Sequence, residues 1–267
     1  MHLKRWISGL ILAPALILVL LFAPPWVYLL FFLALISIGL KEYYALALPA
    51  ISSREKWTGI LLGWLFPLSL YSPNPRCFLS AVAFVLLFVL IRALFQPEEF
   101  PQRVEKAGKH LLGVLYISFL VSHFILLLKL DSGRLLALFI LVSVYFGDTT
   151  AFYVGTAWGK RKLAPRISPG KTVEGGWGAV AGSIAGALIA KFLFLQELPW
   201  FQALPLGAIV GVVGQLGDLW ESLLKRSARA KDSGDLIPGH GGLLDRIDSV
   251  LFAAPVVYYY ALAAGVK

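Results

Sequence analysis

GQLGDLWESLLKRSARAKDSGDLIPGHGGLLDRIDS, residues 214–249, decides how the rest of the chain is read. An apolar run leads into it and another leads out. Between them stand Asp218, Glu221, Lys225, Arg226, Lys231, Asp232, Asp235, His240, Asp245, Arg246 and Asp248. Charged groups beside lipid are costly unless they are paired, hydrated or bound to metal. Asp218, Glu221, Ser222 and Lys225 recur at i, i+3, i+4 and i+7, which is one face of a helix. Asp245 and Asp248 share a face at the start of the next helix. Two helix ends can therefore aim carboxylates at one point, as a metal site requires. The alternative reading is a solvated loop joining two membrane helices.

The surrounding composition sets the environment. The chain has 267 residues, 58% of them hydrophobic and 15% charged. Several runs approach or exceed the ~20 apolar residues that span a bilayer. The spacing predicts an all-α, polytopic integral membrane protein with about nine spans. They fall near 7–22, 26–48, 58–71, 78–95, 111–130, 134–157, 173–195, 203–225 and 243–265. The third is short and broken by Pro67. The single cysteine, Cys77, excludes an intrachain disulfide and a zinc cluster of thiolates. The net charge of +9 is better explained by loop bias and anionic ligands than by nucleic acid.

With a cytoplasmic N-terminus, the nine-span arrangement puts 19 of the 24 Lys and Arg residues on the inner side. That asymmetry follows the positive-inside rule. It places both long polar loops, 158–172 and 225–248, in the cytoplasm, where nucleotides are. Residues 1–95 read as a hydrophobic scaffold. Residues 96–131 hold an amphipathic surface helix (96–110) and one span, with His110 and His123 in packing or interface roles. Residues 132–267 read as the catalytic membrane domain.

The texture changes from residue 143. Asp148 lies inside a span, about ten residues from its end, or ~15 Å deep at the helical rise. An intramembrane carboxylate is a functional hypothesis by default. The loop that follows carries Lys160, Arg161, Lys162, Arg166 and Lys171, residue types that recognise phosphate. Gly170-Lys171-Thr172 looks like the tail of a P-loop. That motif needs glycine five positions before Gly170, where Pro165 stands, and no strand is expected before it. A helix N-terminus suits the segment better, with Ser168 or Thr172 as cap and Glu174 in the first turn. Gly178, Gly182 and Gly186, then Gly207 and Gly211, form small-residue ridges that permit close helix packing. The turn-rich 232–242 segment surrounds His240 with glycine, so a ligand can approach it.

The run from Ser222 to Asp248 resembles the defining motif of the phosphatidate cytidylyltransferase family. The matching pattern is Ser, two residues, Lys-Arg, four residues, Lys-Asp, then Pro-x-His-Gly-Gly, x-x, Asp-Arg-x-Asp. A second block is also similar, running from Asp148 through Gly155 and Gly159-Lys160 to Ser168-Pro169, Lys171-Thr172 and Glu174-Gly175. It departs at Gly170, where the family carries a basic residue. The two blocks cover roughly the C-terminal half; residues 1–110 agree only in hydropathy.

The resemblance implies transfer of CMP from CTP to phosphatidate, giving CDP-diacylglycerol and pyrophosphate. It implies Mg²⁺, with or without an accompanying K⁺, and a bacterial cytoplasmic membrane location. On that reading the metal ligands are Asp218, Asp245 and Asp248, with Asp148 orienting the site and Glu221 behind the ligands. Lys225, Arg226, Lys231, Lys171 and Arg246 bind phosphates, and Ser222 donates to one. Ser168, Thr172, Glu174, Asp232 and His240 complete the expected substrate site. A homodimer is compatible with the glycine ridges, which serve internal packing equally well. Two rival readings are a cation transporter and a CDP-alcohol phosphotransferase. The spans show no obvious inverted repeat, and the Asp-Gly-x-x-Ala-Arg of the second is not reproduced around Arg229 and Lys231-Asp232.

Overall fold

The computed structural model describes residues 17–236 and 241–265. Among the described residues nine α-helices are seen from end to end: α1 Pro25–Ala47, α2 Ser53–Leu70, α3 Arg76–Leu94, α4 Phe100–Gly113, α5 Leu120–Leu128, α6 Gly133–Trp158, α7 Val173–Leu193, α8 Trp200–Ser227 and α9 Leu244–Ala263. A two-stranded antiparallel hairpin, β1 Lys162–Ala164 and β2 Ser168–Thr172, joins α6 to α7. The starts of the helices follow local chemistry. Pro25 opens α1 with its φ already set for helix. Ser52 and Glu55 form a reciprocal capping box at the start of α2.

Six stretches are long and apolar enough to cross a membrane: α1, α3, the continuous 100–128 stretch, α6, α7 and α8. Nine spans were expected; six meet both criteria among the described residues. The expected segment 7–22 lies largely outside those residues. Helix α3 is the most telling. Only 17% of its apolar stretch is buried, and Leu79 and Leu94 are 71% and 69% exposed. A face of that kind is unfavourable in water and ordinary in hydrocarbon.

Residues 96–110 differ from expectation. They do not form a separate surface helix. Helix α4 runs without a break through a π-helical turn, Val114–Phe119, into α5. No proline interrupts 102–128, so nothing stops the helix at the expected boundary. The π turn absorbs the change of register between the two parts.

The glycine ridges are used inside the chain. Gly178, Gly182 and Gly186 of α7 all face α6; a Cβ at Gly182 would stand 2.6 Å from the carbonyl of Phe146. Gly207 and Gly211 of α8 face Ala187 and Ser183 of α7. Helix α7 is thereby clamped between α6 and α8 at backbone distance. The N-terminal helices are tied to this block by a shared core. Ile36 and Leu40 of α1 are fully buried in one cluster with Ile117, Leu224, Leu244 and Leu251.

Candidate active site

Three helices deliver carboxylates to one region. Asp148 comes from α6, Asp218 from α8 and Asp248 from α9. The last two meet because α8 and α9 cross closely at Gly217. A Cβ there would lie 3.0 Å from the carbonyl carbon of Asp248 and 3.2 Å from the ring of Phe252. Asp148, Asp218 and Asp248 are near enough to act on one another's charge, and Lys171 acts on Asp148 and Asp248. Lys171 Nζ also stands 2.6 Å from Asp218 Oδ2, as an ion pair outside hydrogen-bonding direction. Ser222 Oγ donates to Asp218 Oδ1 at 3.4 Å. Asp148 borders a depression of about 180 Å³ between α6, α7 and α8. Gln215 closes one side of it, donating to the carbonyls of Gly176 and Gly211.

Asp245 stands differently. Its Oδ1 accepts from Lys225 Nζ at 2.6 Å. Its Oδ2 accepts from the Ser233 and Gly242 amides at 2.8 and 2.9 Å, and from Ser233 Oγ at 2.9 Å. Lys225 also pairs with the buried Glu221 at 2.5 Å. Both oxygens of Asp245 are thus engaged by protein donors, which tie Ser233 and Gly242 to the start of α9 and, through Lys225, to α8. Gly241 permits this turn with φ +80, in the left-handed region. A Cβ on Gly241 would also stand 2.8 Å from Asp245 Oδ2.

The expected 158–172 loop is mostly the hairpin. Thr172 caps α7, accepting from the Gly175 amide at 3.1 Å, while Ser168 opens β2. Thr172→Val removes that cap and is expected to cost about 1 kcal/mol, read as a lower thermal midpoint in detergent. Glu174 accepts from the amides of Lys160 and Arg161 at 3.0 and 3.2 Å. Arg226 donates to the carbonyls of Ile167 and Ala230, fastening the hairpin turn to the end of α8. Lys231 and Asp232 lie exposed in the following loop, and Arg246 sits in the first turn of α9. His240 lies outside the described residues.

Sequence reasoning missed Glu42. This carboxylate on α1 is 9% exposed. It accepts from the Leu243 and Leu244 amides at 2.8 and 2.9 Å and from Ser233 Oγ at 3.0 Å. It is therefore the N-terminal cap of α9, supplied from 200 residues away in sequence. The signal was present: Glu42 is a carboxylate inside an apolar span, the same feature that singled out Asp148. Tyr116, on the π turn, was also missed. It is buried, packs edge-on against Trp220 and Phe252, and feels the charges of Asp218, Glu221 and Asp248.

Comparison with known proteins gives a consistent result. Residues 3–264 match the model of the cytidylyltransferase family. A Bacillus subtilis protein named phosphatidate cytidylyltransferase is 35% identical over 228 residues, covering 84% of each chain. A Synechocystis protein of the same name is 32% identical over 259 residues, covering 85% of each. An uncharacterized Escherichia coli protein, YnbB, is 38% identical over 249 residues, covering 89% of this chain and 80% of its own.

Proposed function

This chain belongs to the cytidylyltransferase family, and we propose that it transfers CMP from CTP to phosphatidate by metal-assisted in-line displacement. The observation that carries the reading is that α6, α8 and α9 bring Asp148, Asp218 and Asp248 within range of one another's charge, beside Lys171 of the basic hairpin. The relatives named phosphatidate cytidylyltransferase supply the substrate pair. Membership in this family also favours nucleotidyl transfer over cation transport or CDP-alcohol transfer.

Asp218, Asp248 and Asp148 are the carboxylates that would hold a hard divalent cation of the Mg²⁺ kind, which takes oxygen ligands. Asp245 fits poorly, because Lys225, Ser233 and Gly242 already engage its oxygens. Among the described residues no acidic, cysteine or histidine side chains form a ready-made ion cage. Mg²⁺ commonly takes one or two carboxylates and completes its shell with water and substrate phosphates. When bound, such an ion would neutralise phosphate charge on the nucleotide.

The chain's own residues account for the rest. A phosphate oxygen of phosphatidate is already anionic, so no strong general base is needed. It attacks the α-phosphorus of CTP and forms the new P–O bond. The bond from that phosphorus to the bridging oxygen breaks, and its electron pair leaves with pyrophosphate. Lys171, held at the end of β2, would meet the nucleotide phosphates. Lys225 would remain locked between Glu221 and Asp245 and keep α8 and α9 in register. Ser222 would orient Asp218.

We place the hairpin and the 231–242 segment on the cytoplasmic side of a bacterial inner membrane, on the strength of the charge asymmetry along the chain. Helices α2 and α9 would then add two further spans to the six, and the expected span 7–22 lies largely outside the described residues.

Lys171→Ala is expected to raise the Michaelis constant for CTP about tenfold, the size of one lost charge-assisted contact, with a smaller change for phosphatidate. Steady-state kinetics in mixed micelles would show it, and equal effects on both substrates would contradict it. The activity itself is tested with CTP labelled at the α-phosphate plus phosphatidate. Label should enter lipid, and unlabelled pyrophosphate should be released. Label that stays wholly in water-soluble products would refute the assignment.

A further inference from the structure

A second cleft lies outside the carboxylate site. It is an open depression of about 350 Å³, counting the solvent at its mouth, between the start of α2, the end of α3 and α4. Glu55, Arg92, Arg103, Lys106 and His110 supply its polar lining, and Phe88 and Val89 its apolar side. Glu55 takes Arg92 at 3.0 Å and Lys106 at 2.6 Å, and Lys106 also meets Glu98 at 2.6 Å. Three cations therefore face two carboxylates, leaving an excess of one positive charge.

His110 is only 6% exposed, and neither ring nitrogen has a hydrogen-bond partner. Its ring stacks on Tyr44 with centroids 4.8 Å apart, and the Tyr44 hydroxyl is likewise buried without a partner. Buried polar groups are nearly always satisfied, so the unmatched His110 ring, lining the cavity beside Arg92, Arg103 and Lys106, suits an anionic acceptor. The surroundings say where that acceptor is carried. Leu87, Leu90, Ile91 and Leu94 stand exposed on α3, the helix with the least protein cover, whose Phe88, Val89 and Arg92 line the cavity. Acyl chains fit that flank, and a freely dissolved phosphate would gain nothing from it.

We propose that this cavity binds the phosphate of an anionic glycerophospholipid, with His110, Lys106 and Arg92 as its contacts and the exposed α3 face as the bed for the acyl chains. The site is separate from the carboxylate cluster. The aromatic series His110, Tyr44, Tyr43 and Tyr116 stands between them. It does not depend on the proposed transferase reaction.

Native mass spectrometry of the full chain in detergent tests this. The probe is dioctanoyl phosphatidylglycerol, an anionic phosphodiester lipid. Dioctanoyl phosphatidylcholine and glycerol 3-phosphate form the comparison arms. The anionic lipid is expected to bind at least about tenfold more tightly than the zwitterionic one, the scale of a charge-assisted contact. Glycerol 3-phosphate is expected to bind more weakly than the lipid. His110→Phe keeps the ring stacked on Tyr44 and removes both nitrogens. It should unfold no earlier than the parent yet bind the anionic lipid about tenfold more weakly. Glu55→Gln frees Arg92 and Lys106 and should tighten binding where the variant folds. Equal binding of the two lipids, tight binding of glycerol 3-phosphate alone, or unchanged binding by His110→Phe would each overturn the proposal.

Discussion

Asp248→Asn is expected to lower CMP transfer by more than about 100-fold, beyond the loss usual for a group that only supports a metal ligand. The substitution is nearly isosteric, so the crossing at Gly217 and the packing of Phe252 should survive. What it removes is a negative charge from the point where α6, α8 and α9 converge. Asp248 Oδ1 already accepts from the Ser249 amide at 2.6 Å, which fixes the carboxylate's direction. A divalent cation shared by the protein and the CTP phosphates would lose one of its few protein oxygens. The effect should fall on turnover, with expression and thermal unfolding close to the parent. Turnover within a few-fold of the parent would remove Asp248 from the reacting centre.

Glu42→Ala is expected to act through the fold. It orphans the Leu243 and Leu244 amides at the start of α9, and Ser233 Oγ loses one of its two acceptors. An unsatisfied buried donor costs about 1–3 kcal/mol, so two of them predict a loss of about 3 kcal/mol or more. Loss of a negative charge at a helix N-terminus acts in the same direction. The thermal midpoint should drop by several degrees, and CMP transfer should fall with it, because α9 carries both Asp245 and Asp248. Glu42→Gln keeps one acceptor and should lie between the two. An unchanged thermal midpoint in Glu42→Ala would show that α9 does not depend on this cap.

The membrane class and most helices were legible because apolar length is a local property. The expected spans from 26–48 onward each coincide with a helix found in the structure. The hairpin was not legible. Its strands are only three and five residues long, and Pro165 marks a turn without fixing which strands it joins. The surface helix at 96–110 was misplaced for a related reason. A change from polar to apolar composition is not a helix stop, and the backbone continued through it. Asp218 and Asp248 were named from helical spacing and motif and Asp148 as a carboxylate inside a span, and the three lie within range of one another's charge. Asp245 shares a face with Asp248 by spacing, but it turns to Lys225, Ser233 and Gly242. The demand of the Ser233 and Gly242 amides for an acceptor is invisible to helical periodicity. Glu42 belongs to the same class, since a cap supplied from another helix leaves no trace in the local sequence.

The most direct test of the central claim is Mn²⁺ binding measured by electron paramagnetic resonance in the presence of CTP. The ion should bind the parent protein, and binding should be lost in Asp218→Asn and in Asp248→Asn while both remain folded. Parent-like Mn²⁺ affinity in both variants would contradict the idea that these carboxylates hold the ion.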